Sequence, residues 1–158
     1  MTLQEYLLHL EKNLLVGSGR WVANFNESFR DYYIGDTRFD MLVRGQTRSG
    51  GFLLSRLFAY FALPNYQVAC FVYTGELRKG ILYSLINTIQ KYMKANDLTW
   101  SWLVLPKEGP FPQGLIDVVR KMDIREIGIA LLDLDSGTIN TNPSYLGRKM
   151  VRYVRAGK

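Results

Sequence analysis

Apolar residues recur at helical spacing in three parts of the chain. Residues 3–14 carry them three and four positions apart, and Thr2 and Glu5 have the spacing of a capping box at the start of this segment. Residues 77–96 and 112–122 repeat the same spacing, the latter with a proline at its first position. The pattern therefore predicts three amphipathic helices.

Three short segments are apolar almost throughout, which is typical of strands covered on both faces. They are residues 67–73, 100–105 and 127–132, and Pro106 is expected to end the second. Because these strands alternate with the two later helices, we expect a parallel arrangement with right-handed crossovers. Residues 67–73 are expected to lie at the centre of the sheet.

The first half of the chain is less regular. Alternation predicts a short strand at 21–25, followed by polar residues at 26–31, and a second strand at 38–47. Residues 52–63 fit a helical stripe, although their aromatic residues favour a strand almost as well. A turn after the last buried strand predicts a short antiparallel strand at 138–141. The expected fold is one α/β domain over residues 1–158, with three layers and a mixed, centrally parallel sheet flanked by helices.

Composition excludes several classes of chemistry. The 158 residues include 47% hydrophobic side chains, one cysteine and one histidine, so neither an intrachain disulfide nor a Cys/His zinc cluster is expected. Cys70 lies in the most apolar strand, and His9 lies on the polar side of the first helix, which argues against a Cys-His catalytic pair. No signal peptide opens the chain and no apolar run reaches membrane-spanning length, so we expect a cytoplasmic protein without membrane contact.

Positive charge is concentrated in residues 148–158. These residues hold five cations and no acid, and so supply +5 of the formal net charge of +6. In a C-terminal helix or tail over 144–158, helical spacing would place the arginines on one face and a docking stripe on the other. The arginines are Arg148, Arg152 and Arg155, with Lys149 beside them, and the stripe is Leu146, Met150 and Tyr153. Such a face predicts salt-sensitive nucleic-acid binding, and the alternative is a solvated helix whose cations favour its own dipole.

Further basic candidates for nucleic-acid binding lie in the first half of the chain, where the sequence does not show whether they converge with the C-terminal cations. They are Arg38, Arg44, Arg48 and Arg56.

The segment from Gly75 to Gly80 follows a strand and opens a helix, which is where backbone N–H groups bind phosphate. Its two glycines have the separation found in a P-loop. Ile81 and Leu82 replace the lysine and hydroxyl residue that such a loop needs. An ordinary helix start is therefore the preferred interpretation.

From about residue 66 onwards, the layout of the chain resembles the restriction-endonuclease-like (PD-(D/E)xK) superfamily. The resemblance is carried by a strand with the sequence Trp-Leu-Val-Leu-Pro at 102–106, the short helix after it, and a strand with the sequence Ile-Gly-Ile-Ala-Leu-Leu-Asp at 127–133. It covers roughly two-thirds of the chain and is one of layout rather than of motif.

This resemblance implies a site in which an Asp on one strand and a Glu-x-Lys on the next hold Mg²⁺ and activate water. Asp40 matches the first carboxylate, but the central strand contains neither an acid nor a base. Glu76 and Lys79, just beyond that strand, are candidate substitutes, and Glu27 is a further acid.

The preferred hypothesis is a catalytically silent domain of this kind that binds nucleic acid or a protein partner and has no cofactor. One alternative is a Mg²⁺-dependent nuclease that uses Asp40, Glu76 and Lys79. The other is a structural subunit whose exposed aromatic residues, within 52–61, form a homo-oligomeric or heteromeric interface.

Overall fold

The computed structural model describes residues 1–47 and 67–157. The predicted helix at 52–63, the interface within it, and the cations Arg48 and Arg56 lie outside the described residues. The secondary structure runs in the order α1 (Leu3–Leu15), a 3₁₀ helix (Ser18–Trp21), β1 (Asn24–Ile34), β2 (Thr37–Gln46), β3 (Gln67–Val72), α2 (Lys79–Ala95), β4 (Leu98–Lys107), α3 (Gln113–Arg120), β5 (Ile127–Asp133), β6 (Ile139–Thr141) and α4 (Tyr145–Met150).

In the described part of the chain, the strands form a single six-stranded sheet in sequence order, from β1 at one edge to β6 at the other. β1, β2 and β3 are successively antiparallel, β3, β4 and β5 are parallel, and β6 returns antiparallel to β5. The α/β class and the mixed sheet with a parallel centre are therefore confirmed. β3 lies inside the sheet, as its apolar sequence predicts.

Helices cover both faces of the sheet, which gives three layers. Alternate residues of β3 explain why: Ala69 and Phe71 pack in the cluster under α2 and α3, whereas Val68, Cys70 and Val72 pack in the cluster under α1 and the C-terminal residues. We call these two sides the α2 face and the α1 face. Every residue of β3 after Gln67 is buried, so the strand is apolar because both of its faces lie in a core.

The position predicted for the first strand, 21–25, is wrong. Ser18–Trp21 is a 3₁₀ helix, and β1 runs from Asn24 to Ile34 through the residues interpreted as a polar connection. Among the described strands β1 pairs with β2 alone, and most of its residues are exposed or half-buried, so its side chains do not need to be apolar. Its alternation is also interrupted by a register shift between Phe25 and Glu27 and by a left-handed backbone at Asp31, where φ is +49°.

Pro106 does not end β4, which continues to Lys107. The carbonyl of Val104 accepts from Tyr73 on the β3 side, and that of Lys107 accepts from Leu134 on the β5 side. The alternation of the backbone therefore directs position 106 toward β3, which has already ended at Val72. Because Tyr73 already donates to Val104, the next bond of this parallel ladder would come from an N–H at position 106, which proline lacks, so the pairing of β3 with β4 stops here.

Among the described residues, no helix combines the length and the apolar composition that crossing a membrane would need.

Candidate functional site

The carboxyl ends of β3 and β4 border two adjoining cavities, which contain two of the predicted catalytic residues. One cavity, of about 390 Å³, is lined by Asp40 together with Thr74 and Gly75. The other, of about 310 Å³, shares Thr74 and Gly75 and is lined by Glu76. The fold therefore places Asp40 and Glu76 at the same end of the sheet, where ligands of parallel sheets commonly bind.

Asp40 is held in place by backbone and side-chain partners. Its Oδ2 accepts from the Thr74 N–H at 2.8 Å, and its Oδ1 lies 3.5 Å from Nη2 of Arg38. The guanidinium of Arg38 also pairs with Asp31. This carboxylate therefore links β2 to the loop after β3.

Glu76 and Lys79 lie on the surface beside this end of the sheet. Arg78 Nε donates to Glu76 at 2.9 Å, and this hydrogen bond, with the charge of Arg78, lowers the pKa of the Glu76 carboxyl. Both partners are about 70% exposed, so water screens the pair and its contribution to stability is small. Lys79 is the exposed first residue of α2, whose N-terminus has no side-chain cap.

Glu27 does not join these residues. It pairs with Arg44 across the β1–β2 ladder, four positions along β2 from Asp40, which corresponds to about 13 Å. Within residues 1–47 and 67–157, no three side chains among His, Cys, Asp and Glu lie close enough together to hold a metal ion.

The C-terminal residues form the second candidate site, and we call residues 145–157 the basic segment. Met150, Tyr153 and Val154 are buried against the α1 face, and the Tyr153 ring stacks on Trp102 with 5.8 Å between the ring centroids. Leu146 also packs against this cluster, so the predicted docking stripe is confirmed.

α1 also holds the basic segment through hydrogen bonds to its backbone. Tyr6 Oη donates to the carbonyl of Val154 at 2.7 Å, and Asn13 Nδ2 donates to the carbonyl of Tyr153 at 2.7 Å. Because the Tyr6 hydroxyl is buried, this pairing satisfies a polar group that would otherwise destabilise the core.

The start of the basic segment lies directly against β5. A Cβ atom on Gly128 would lie 2.8 to 3.0 Å from backbone atoms of Leu146 and Gly147, so the two backbones are in contact. Asn142 holds the residues before α4 against β5, because its side chain accepts from the Ile129 N–H at 2.8 Å and donates to the Ile127 carbonyl at 2.9 Å.

The condition for one continuous helical face of arginines, a helix through residue 155, is not met. α4 ends at Met150, and the chain continues as turns, because Tyr153 and Val154 must reach the core between β5 and α1. Arg155 therefore lies beyond the helix that carries Arg148.

The four predicted cations of the basic segment are nevertheless all exposed, and none forms an ion pair within the described ranges. They are Arg148, Lys149, Arg152 and Arg155. Arg148 donates to the Pro143 carbonyl at 2.7 Å, and Lys149 Nζ lies 5.6 Å from the centroid of the Tyr145 ring. Their charge is therefore available to an anionic partner.

Of the basic candidates of the first half, the two that the structure describes, Arg38 and Arg44, do not join the basic segment into one surface. Arg38 is engaged by Asp31 and Asp40 at the end of the sheet. Arg44 donates to the Tyr92 hydroxyl of α2 at 3.2 Å, which places its side chain on the α2 face, opposite the basic segment.

The remaining reactive side chains occupy the environments that the sequence predicts. Cys70 is buried in β3, and burial raises the pKa of its thiol far above the ordinary value, which leaves it unreactive. His9 is exposed on α1.

Sequence reasoning did not find the exposed Tyr145 or the bridging role of Asn142. The serine before Tyr145 was a usable signal, because Ser144 caps α4 by accepting from the Gly147 N–H at 3.0 Å and so fixes the helix start. No local pattern reveals the Asn142 contacts, since their partners lie 13 and 15 residues earlier in the chain.

Comparison with known proteins gives no match: no protein-family model fits the chain, and no curated protein or solved structure is significantly similar to it.

Proposed function

We propose that this chain is a catalytically silent, restriction-endonuclease-like domain that binds nucleic acid through the basic segment. The observation that carries the proposal is the set of four exposed cations, without acidic partners in the described part of the chain, on a segment whose other side is packed into the core. Phosphate neutralisation needs cations of this kind, because a cation already paired with a carboxylate must first give up that partner.

The anchoring of the segment also supports binding. Tyr153 and Val154 are buried and hydrogen-bonded to α1, so the cations between Arg148 and Arg155 are carried by an ordered backbone. A partner that contacts them does not have to order this backbone on binding, which reduces the entropic cost of association.

The arrangement of the acids supports a silent domain. The Asp40 carboxylate is bonded to a backbone N–H and lies beside an arginine, and Glu76 is paired with Arg78. A Mg²⁺ site needs carboxylate oxygens that converge on one ion at about 2.1 Å. Here protein groups lie against both oxygens of Asp40 and against Oε1 of Glu76, and within residues 1–47 and 67–157 no third metal-ligating side chain joins them.

The first test removes the cations. We expect the triple variant Arg148→Ala/Arg152→Ala/Arg155→Ala to bind DNA or RNA about 10- to 100-fold more weakly at low salt, because about three phosphate contacts are lost. The dependence of log affinity on log salt concentration should also become shallower by about 2 to 3. Fluorescence anisotropy at several salt concentrations measures both quantities.

A charge-matched control separates this surface from net charge. The triple variant Lys91→Ala/Lys94→Ala/Lys121→Ala removes three exposed cations from α2 and the end of α3, on the α2 face. It should bind nearly as the wild type does. Equal losses in the two triple variants, or none in the first, would contradict the proposed interface.

The second test concerns catalysis. We expect no cleavage of plasmid or oligonucleotide substrates in Mg²⁺ or Mn²⁺. Asp40→Asn is the informative variant, because an amide oxygen can still accept from Thr74 while the charge that a metal needs is removed. Metal-dependent cleavage by the wild type that disappears in Asp40→Asn would establish the nuclease alternative instead.

A further inference from the structure

We infer that the basic segment binds single-stranded rather than double-stranded nucleic acid, with one base stacked on Tyr145. This inference rests on the proposed function and specifies its ligand. Tyr145 is the first residue of α4, and its side chain is 65% exposed. An aromatic ring among cations is the combination that single strands recognise, since bases stack on the ring while phosphates meet the charges.

Among the exposed tyrosines of the described chain, Tyr145 is placed differently from Tyr33 and Tyr83. Tyr33 lies on the edge strand β1, and Tyr83 lies on α2, on the other side of the sheet. Only Tyr145 of these three belongs to the basic segment, where Lys149 Nζ lies over the ring, 5.6 Å from its centroid, and Arg148 follows three residues later. A base on this ring therefore brings its own phosphate close to a cation.

Tyr145 is also held in position before any ligand binds. Ser144 caps the helix at Gly147, and the Arg148 guanidinium is tied to the Pro143 carbonyl. Gly147 and Met150 are buried on the sheet, and Asn142 bonds the residues just before α4 to β5, so the first turn of α4 is held against the sheet. The base platform and its neighbouring cations are therefore preorganised.

The position of α4 on the sheet also argues against recognition of a nucleic-acid duplex. α4 has six residues, about 9 Å of helix, and it lies with Gly147 and Met150 buried on the sheet. A helix that reads the major groove has to enter the groove and so must project from its domain. Bases inside a duplex are stacked on one another and present no face to Tyr145, so a duplex would contact the cations alone.

The experiment uses the full chain and two labelled probes, a mixed-sequence single strand of about 15 nucleotides and the duplex of the same sequence and length. We expect the wild type to prefer the single strand. Tyr145→Ala should weaken single-strand binding about tenfold and change duplex binding less than about twofold, because stacking is lost and the cations remain. Tyr145→Phe, which keeps the ring, should bind as the wild type does, and so should Tyr83→Ala, the exposed-tyrosine control.

The outcomes distinguish this inference from the proposed function. If Tyr145→Ala binds the single strand normally while the triple arginine variant does not, the inference is wrong and the proposed function stands. A wild-type preference for duplex, or an equal loss on both probes in Tyr145→Ala, also overturns it. If the wild type binds neither probe at low salt, the proposed function fails and the inference fails with it.

Discussion

Replacing Gly128 with alanine is expected to lower the free energy of unfolding by about 3 kcal/mol. The added Cβ would lie 2.8 Å from the Leu146 carbonyl carbon, 2.9 Å from its oxygen and 3.0 Å from the Gly147 nitrogen. These are backbone atoms of α4, and no side-chain rotation relieves the contact. Either β5 or α4 must move, and both lie against the core through buried residues. Denaturant unfolding followed by circular dichroism measures the loss.

Gly80→Ala is the matched control. Gly80 lies in the first turn of α2, where a Cβ meets no atom within 4 Å. Alanine has the higher helix propensity, so this variant should be unchanged or stabilised by up to about 1 kcal/mol. If Gly128→Ala were as stable as Gly80→Ala, the close seating of α4 on β5 would be refuted, and with it the preorganisation of the basic segment.

Asn142→Ala should cost about 3 kcal/mol of stability. The buried side chain bonds the Ile129 N–H and the Ile127 carbonyl, and alanine leaves both groups without these partners in the interior. Each unpaired backbone group carries a desolvation penalty of about 1 to 3 kcal/mol, which exceeds the small loss of packing volume. Thermal and denaturant unfolding of the variant measure the effect.

Two further variants make the Asn142 result specific. Asn142→Asp keeps an oxygen for the Ile129 N–H but cannot donate to the Ile127 carbonyl while ionised, so we expect a substantial loss as well. Asn140→Ala, two residues earlier, removes only a bond from the exposed Arg120 and should cost less than about 1 kcal/mol. Equal stabilities of Asn140→Ala and Asn142→Ala would show that the bridge to β5 contributes nothing.

The sequence predicts the elements that are buried. β3 and β5 are apolar because both of their faces contact helices, and the stripe of α2 is regular because one side packs on the sheet. Burial requires apolar residues, and a run or stripe of apolar residues can be recognised in the sequence. β1 is the counterexample. Within residues 1–47 and 67–157 its one neighbouring strand is β2, and many of its side chains are exposed, so its pairing with β2 leaves little trace in the residue types.

The site was predictable only in part, for a related reason. The charge of the C-terminal residues and the stripe of Met150 and Tyr153 follow from the sequence, since each depends on residue type and spacing. The end of α4 at Met150 does not, because it depends on where Trp102 and α1 offer contacts to Tyr153 and Val154. The approach of Asp40 to Thr74 likewise depends on strand register.

The bonds between α1 and the basic segment also bear on how the chain folds during synthesis. Tyr6 and Val154 are separated by 148 residues, and Asn13 and Tyr153 by 140, so α1 emerges from the ribosome long before its hydrogen-bonding partners exist. Until then, the side of the sheet that α1 shares with these residues is only half covered. A nascent chain stalled before residue 150 should therefore expose Trp102 and bind chaperones. Trp102 should become protected from solvent only when the basic segment docks.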